Sequence, residues 1–180
     1  MDSGEPREVS DDPFFGEVRR RHPDVDIVLL PPEAAASPAP PPVDPALLAA
    51  VPAEHDAETR DLWSQVARGI DPAQATARWA AGEVTGTVRR DTQLAAKGVD
   101  AVTATAALAG AARALEQAGW HVLAPDSGLP RVLAGRGAGA ERREVQVVHV
   151  PATGRYAVTS RGPSYTVGPA RVSALLRDVL

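Results

Sequence analysis

The chain has 180 residues, with seventeen prolines, fifteen glycines, no cysteine and a formal net charge of −4 at pH 7. The lack of cysteine excludes disulfides, thiolate catalysis and metal sites with cysteine ligands. No apolar stretch approaches the roughly 20 residues of a membrane span, and the acidic, polar first residues do not resemble a secretory signal. We therefore expect a cytoplasmic protein that does not contact membranes.

Charge is distributed unevenly along the chain. Residues 1–62 have a net charge of −9, residues 63–118 of +1 and residues 119–180 of +4. An acidic and a basic half can attract each other, or the basic half can bind an acidic partner. Arginine outnumbers lysine by eighteen to one, a bias typical of a GC-rich bacterial genome that indicates no function.

The first third of the sequence predicts a short arm that a proline-rich linker joins to the rest of the chain. Residues 1–11 are polar and predict a disordered tail. Within residues 12–30, Asp12 and Pro13 can begin a short helix that ends at Arg21, and residues 25–30 have the pattern of a strand. Residues 31–53 are rich in proline and predict a disordered, semi-rigid linker.

Residues 54–118 predict the helical part of an α+β domain that spans residues 54–180. We expect helices at 54–68 and 71–79, which together have the outline of a helix-turn-helix, and a strand or a helix within 83–98. A long helix at 99–118 is predicted to place Val99, Val102, Leu108, Ala112 and Leu115 toward the core. Its opposite side carries a stripe of small residues that could receive the other helices or a partner, namely Ala104, Ala107, Ala111, Ala114 and Ala118.

Residues 119–180 predict the sheet part of the domain. We expect a strand at 119–124, a short apolar segment at 129–133, a flexible loop at 135–140, a hairpin with arms 144–150 and 155–160, a loop at 161–169 and a helix at 170–179. Gly154 can provide the left-handed residue of the hairpin turn, with Val150 opposite Tyr156 and Val148 opposite Val158. The predicted fold is α+β, with helices packed on a small antiparallel sheet of three to four strands.

No residue pattern points to catalysis, a cofactor or a metal. The glycine-rich loop at 135–140 precedes a strand, whereas a dinucleotide-binding loop precedes a helix. His121 and His149 could lie on neighbouring strands, but they do not complete a ligand set with His22 or His55. We therefore expect no enzyme. An enzyme would need a polar pocket near His121, His149 and Arg155.

The leading functional hypothesis is a non-enzymatic protein-interaction module, an adaptor or a chaperone-like accessory protein with a protein partner of unknown identity. The arm is too short to bury its own apolar residues, so it must dock on the chain's own sheet or on a partner. The predicted partner-binding residues are Phe14, Phe15, Val18, Ile27, Val28, Leu29 and Leu30.

The alternative hypothesis is a nucleic-acid-associated protein that binds through the arginine-rich sheet region. Arginines on one face could contact phosphates, and Tyr156 or Tyr165 could stack on bases. The residues predicted for this role are Arg131, Arg142, Arg143, Arg155 and Arg161.

Overall fold

A computed structural model describes residues 41–177 together with Glu17, Arg20 and Arg21. The chain divides into two units, residues 1–39 and 40–180. In the first unit Glu17, Arg20 and Arg21 are helical, and the Glu17 carboxylate accepts hydrogen bonds from both arginines at 2.6 and 2.8 Å. The predicted tail, the apolar residues of the predicted arm and residues 31–40 of the predicted linker lie outside the described residues.

The described part of the second unit contains three α-helices and one six-stranded antiparallel sheet, which confirms the α+β class. The sheet has six strands rather than the predicted three to four. The elements in chain order are α1 (Pro45–Val66), β1 (Gln74–Ala81), β2 (Thr87–Ala96), α2 (Ala101–Gln117), β3 (His121–Leu123), β4 (Arg131–Arg136), β5 (Arg143–Val150), β6 (Arg155–Thr166) and α3 (Pro169–Arg177). Across the sheet the strands follow the order β1-β2-β6-β5-β4-β3.

The first helix begins inside the segment that was predicted to be a linker. Residues 45–53 are helical, because Asp44 caps the helix by accepting a hydrogen bond from the Ala46 N–H at 2.7 Å, and Pro45 occupies the first turn. Leu48 and Val51 are buried. Their burial stabilises the helix although Pro52 lies within it and removes one N–H donor.

The predicted helix at 71–79 is wrong, because this segment forms strand β1. All eight residues of β1 pair with β2, from Gln74 opposite Ala95 to Ala81 opposite Val88. This pairing overrides the helical preference of an alanine-rich segment and makes the ambiguous segment 83–98 mainly a strand. The helix-turn-helix outline is therefore wrong as well.

The predicted long helix is confirmed as α2, but its inward face differs from the prediction. Asp100 caps the helix by accepting hydrogen bonds from the N–H groups of Val102 and Thr103, both at 2.9 Å. Val102 itself is 82% exposed. The buried residues of α2 are Ala104, Leu108, Ala111 and Leu115, so part of the alanine stripe faces the core.

The predicted hairpin is confirmed as β5 and β6, with Gly154 in the left-handed conformation at φ 59°. Its register differs by one residue, because Val150 lies opposite Arg155 and Val147 lies opposite Val158. A shift of one residue exchanges the two faces of a strand. β6 also continues to Thr166, where a loop was predicted, and β4 extends into the predicted flexible loop at 135–140.

The core lies between α1, α2 and one face of the sheet. Trp63 and Tyr156 pack edge to face with 6.0 Å between ring centroids. The Trp63 indole N–H donates to the Ile70 carbonyl at 2.8 Å, and the Tyr156 hydroxyl donates to the Val66 carbonyl at 3.2 Å, so both buried polar groups are satisfied. None of the described helices has the length and apolar character of a membrane span.

Candidate functional site on the open face of the sheet

The two sides of the sheet differ in what covers them. The long helices pack on the side that presents Val145 and Val147, whereas Glu144 and Gln146 alternate with these residues and point to the opposite side. We call that opposite side the open face. Residues that lie directly opposite each other on neighbouring strands share a side of the sheet, so the register defines the open face row by row.

Two adjacent rows of the open face cross all six strands. The first, which we call the charged row, consists of His121, Gly135, Glu144, Arg161, Asp91 and Arg78. The second, which we call the middle row, consists of Leu123, Leu133, Gln146, Thr159, Gln93 and Thr76. The middle row is aliphatic at β3 and β4 and becomes hydrogen-bonding toward β1.

Two clefts lie over these rows. One, of about 470 Å³, lies over β3, β4, β5 and β6, and the other, of about 520 Å³, lies over β1, β2, β5 and β6. Both are lined by Gln146, Thr159 and Arg161, so the two clefts adjoin, and we call them together the groove. Five spacings separate the outermost strands, which gives the groove a length of about 24 Å.

A carboxylate between two guanidinium groups lies in the cleft over β3, β4, β5 and β6. Glu144 accepts a hydrogen bond from Arg142 Nε at 2.8 Å and another from Arg161 NH1 at 3.1 Å. The hydrogen bond from Arg142, followed by the one from Arg161, lowers the pKa of Glu144. The cluster of these three side chains therefore carries one positive charge in excess at neutral pH.

The rest of the open face is also rich in arginine. Arg89 forms an ion pair with Asp91 at 3.1 Å. Arg155 donates to the Gln93 side-chain carbonyl at 2.6 Å, and Gln93 donates in turn to the Thr159 hydroxyl at 2.9 Å. Five arginines and two carboxylates thus lie over this face, namely Arg78, Arg89, Arg142, Arg155, Arg161, Asp91 and Glu144. A sixth arginine, Arg131, is on the same side by register, at the start of β4.

The arginines predicted for nucleic-acid binding do not all share one surface. Arg142, Arg155 and Arg161 lie on the open face. Arg143 instead forms an ion pair with Glu58 of α1 at 2.8 Å on the helix-covered side. Arg131, at the start of β4, donates to the backbone carbonyls of Ser127 and Leu129.

No Tyr or Trp of the described residues lines either cleft, and the one ring in their lining is the His121 imidazole. Tyr156 is in the core, and Tyr165 packs edge to face on Trp79. Trp79 in turn contacts Arg90, which is paired with Asp56 of α1. Tyr156 and Tyr165, the residues predicted to stack on bases, therefore both lie away from the open face.

The described histidines are separated from one another. β4 lies between the strands of His121 and His149, so the predicted adjacency of these two residues is wrong. His149 is buried with Nε2 3.1 Å from the Val99 carbonyl, and His55 is buried with Nε2 3.3 Å from the Ser160 carbonyl. Within residues 41–177 and the three described residues before them, no group of three His, Asp or Glu side chains could hold a metal.

Sequence reasoning missed Gln93, Gln146 and Thr159, which form the hydrogen-bonding part of the groove. Their only signal is the alternation of polar and apolar residues within β5 and β6. This signal becomes useful only when the register and the strand character of β2 are known.

Comparisons with known proteins add no relative to this description. No family model matches the chain, and neither a curated protein nor a solved structure shows significant similarity to it.

Proposed function

We propose that this protein is a non-enzymatic protein-interaction module, an adaptor or chaperone-like accessory protein that binds an extended, acidic segment of a partner on the open face. The observation that carries this proposal is the groove, which is lined by three arginines and two carboxylates, with Arg89 and Arg155 beside it on the same face. An acidic segment would compensate this charge, and the resulting attraction would accelerate and orient its binding.

The shape and lining of the groove favour an extended polypeptide. A length of about 24 Å matches roughly seven residues in extended conformation. Gln93, Gln146 and Thr159 offer donors and acceptors along the middle of the groove, which suit the amide groups of a peptide. Leu123 and Leu133 at one end provide an apolar surface for a side chain.

The alternative, a nucleic-acid-associated protein, fits the groove less well. Single-stranded nucleic acids bind sheet surfaces largely by stacking bases on aromatic side chains, and the two clefts are lined by the His121 ring but by no Phe, Tyr or Trp. Arg143 and Arg131 are directed to partners off the groove. Contacts to phosphates alone would leave a salt-sensitive, nonspecific attraction.

Fluorescence anisotropy with the full-length protein tests the proposal. The probes are labelled eight-residue peptides of alternating Glu and Val or alternating Lys and Val, and a twelve-nucleotide oligothymidine. We expect only the Glu-Val peptide to bind measurably at 150 mM salt. Arg161→Gln should weaken this binding about three- to tenfold, since it removes a charge-assisted contact shared by both clefts.

The matched control is Arg113→Gln, which removes an arginine of α2 that hydrogen-bonds within its own helix and lies outside both clefts. It should leave binding unchanged. Equal binding of the two peptides would refute the proposed charge preference. Tighter binding of the oligonucleotide than of the Glu-Val peptide would favour the nucleic-acid alternative.

The predicted arm remains a separate part of the proposal. Replacing Phe14 and Leu29 by Ser in the full-length protein tests whether apolar residues of the arm bind a partner. We expect this variant to lose a partner that co-purifies from the native host with the Arg113→Gln control. An unchanged set of partners would argue that the arm has no role in binding.

A further inference from the structure

Gly135 is the one position of the charged row that carries no side chain. Gly135 lies directly between His121 on β3 and Glu144 on β5. The Arg142 guanidinium extends over this position, because its NH2 lies 3.8 Å from the point where a Cβ of residue 135 would be. Arg142 therefore reaches the charged row from outside it and approaches Glu144 from the side opposite Arg161.

Glu144 accepts hydrogen bonds from only some of the N–H donors of the two arginines. A guanidinium has five N–H donors, and Glu144 engages Arg142 through Nε and Arg161 through NH1. The other N–H groups of both arginines make no hydrogen bond to another described residue. Both side chains are nearly half exposed, at 49% and 42%, so these donors are open to the cleft.

We propose that Arg142 and Arg161 bind a carboxylate of the partner segment beside Glu144, while an aliphatic side chain four residues away packs on Leu123 and Leu133. This inference rests on the proposed function, because it names the anchor of the acidic segment. The bound carboxylate would neutralise the one excess positive charge of the cluster.

The distance from the cluster to the aliphatic end of the middle row sets the spacing of the recognised residues. Leu123 and Leu133 on β3 and β4 lie two strand spacings, about 9.6 Å, and one row, about 6.8 Å, from Glu144 and Arg161 on β5 and β6. The resulting separation of about 12 Å is close to the ~13.6 Å between residues i and i+4 of an extended chain, whose side chains point the same way. A segment that runs along the groove with its acid at the cluster thus places the residue four positions away over Leu123 and Leu133, which select an apolar residue there.

The charge of the cluster favours a carboxylate over a phosphate. A phosphate group carries about −1.5 to −2 charges at pH 7, which exceeds the single available positive charge. Glu144 would repel this excess at short range. Because a monoanion brings the cluster to neutrality, the charge favours a carboxylate, from an acidic side chain or from a chain terminus, over a phosphomonoester. A phosphodiester is also a monoanion, and the oligothymidine probe tests it.

The probe is the peptide acetyl-Leu-Thr-Thr-Thr-Glu-Thr-Thr-Thr-Leu-amide, which has an apolar residue four positions from the acid in either orientation. Its comparison peptides replace Glu by Gln, or both Leu by Thr. A fourth peptide, acetyl-Leu-Thr-Thr-Thr-Gln with a free terminal carboxylate, distinguishes a chain terminus from a side chain as the source. Each is titrated by calorimetry into the full-length protein and into variants whose thermal unfolding matches that of the natural protein.

Glu144→Gln gives the decisive result. Removing the internal carboxylate leaves two uncompensated arginines, so we expect the Glu peptide to bind about fivefold more tightly. The Gln peptide amide should bind Glu144→Gln and the natural protein equally. If Glu144 only stabilised the sheet, its replacement would weaken binding or leave it unchanged, and either result would overturn the proposed clamp.

Arg142→Gln and Arg161→Gln should each weaken the binding of the Glu peptide about three- to tenfold. Arg113→Gln is the control. Replacing both Leu by Thr should also weaken binding to the natural protein. If binding of the Glu peptide is salt-sensitive but unchanged by the Arg142 and Glu144 substitutions, the clamp is overturned while the proposed function is still supported. No binding of any acidic peptide would refute both.

Discussion

The inward face of α2 can be tested by replacing Leu115 with Ala. Leu115 is 1% exposed and belongs to the core between the helices and the sheet. The substitution removes about three carbon groups, each worth roughly 0.8 kcal/mol of burial, and leaves a cavity that adds to this loss. We expect the free energy of unfolding to fall by about 3 kcal/mol, a large part of the ~5–15 kcal/mol that holds a domain together.

Val102→Ala is the matched change on the same helix. Val102 is predicted from the sequence to face the core, but it is 82% exposed. A separation of about thirteen positions along the helix places the side chains of Val102 and Leu115 about 140° apart around it. Because Ala also has the higher helix propensity, this variant should stay within about 0.5 kcal/mol of the natural protein.

Urea unfolding followed by circular dichroism measures both variants, and an unchanged m value shows that they unfold in the same way. A loss of stability for Val102→Ala equal to that for Leu115→Ala would refute the observed orientation. It would mean that α2 is rotated so that Val102 is buried, as the sequence pattern predicts.

Three further changes test other parts of the fold. Burial lowers the pKa of His55, so the folded state favours the neutral ring. The contribution of His55 to the free energy of unfolding should therefore be fully present above about pH 6.5 and decrease as the pH falls below it. Urea titrations between pH 7 and 5 should show a smaller decrease in the free energy of unfolding for His55→Gln than for the natural protein. An equal dependence on pH in the two proteins would contradict this cause. Gly154→Ala places a side chain at φ 59° with its Cβ 3.3 Å from the Gly98 backbone. It should lower the free energy of unfolding by at least ~1–2 kcal/mol. An unchanged midpoint of urea unfolding would argue against the left-handed turn. Tyr156→Phe removes the donor to the Val66 carbonyl and should lower stability by about 1 kcal/mol in the same assay, and a neutral result would argue against that hydrogen bond.

The elements that the sequence predicted correctly depend on nearby residues. Asp100 and the apolar periodicity after it define α2, and Gly154 between two runs of alternating residues defines the β5–β6 hairpin. In both cases the interactions that stabilise the element join residues a few positions apart. Local sequence therefore determined the α+β class, the long helix and the central hairpin.

The segments that were predicted wrongly depend on distant partners. Gln74–Ala81 has the composition of a helix and becomes a strand because β2 pairs with its whole length. The start of α1 has the composition of a linker and becomes a helix because Leu48 and Val51 are buried. Propensity differences below 1 kcal/mol per residue are smaller than the energy of such burial and pairing.

The candidate site depends on the tertiary structure even more than the fold does. By itself the sequence determined that arginines accumulate in the last third of the chain and that the histidines form no evident ligand set. Only the pairing of six strands brought Arg161 beside Glu144 and aligned Gln93 with Thr159 and Gln146. A register shift of one residue would move each of these side chains to the covered side of the sheet. The register is selected by the packing of the helices on one face, and no local sequence pattern encodes that packing.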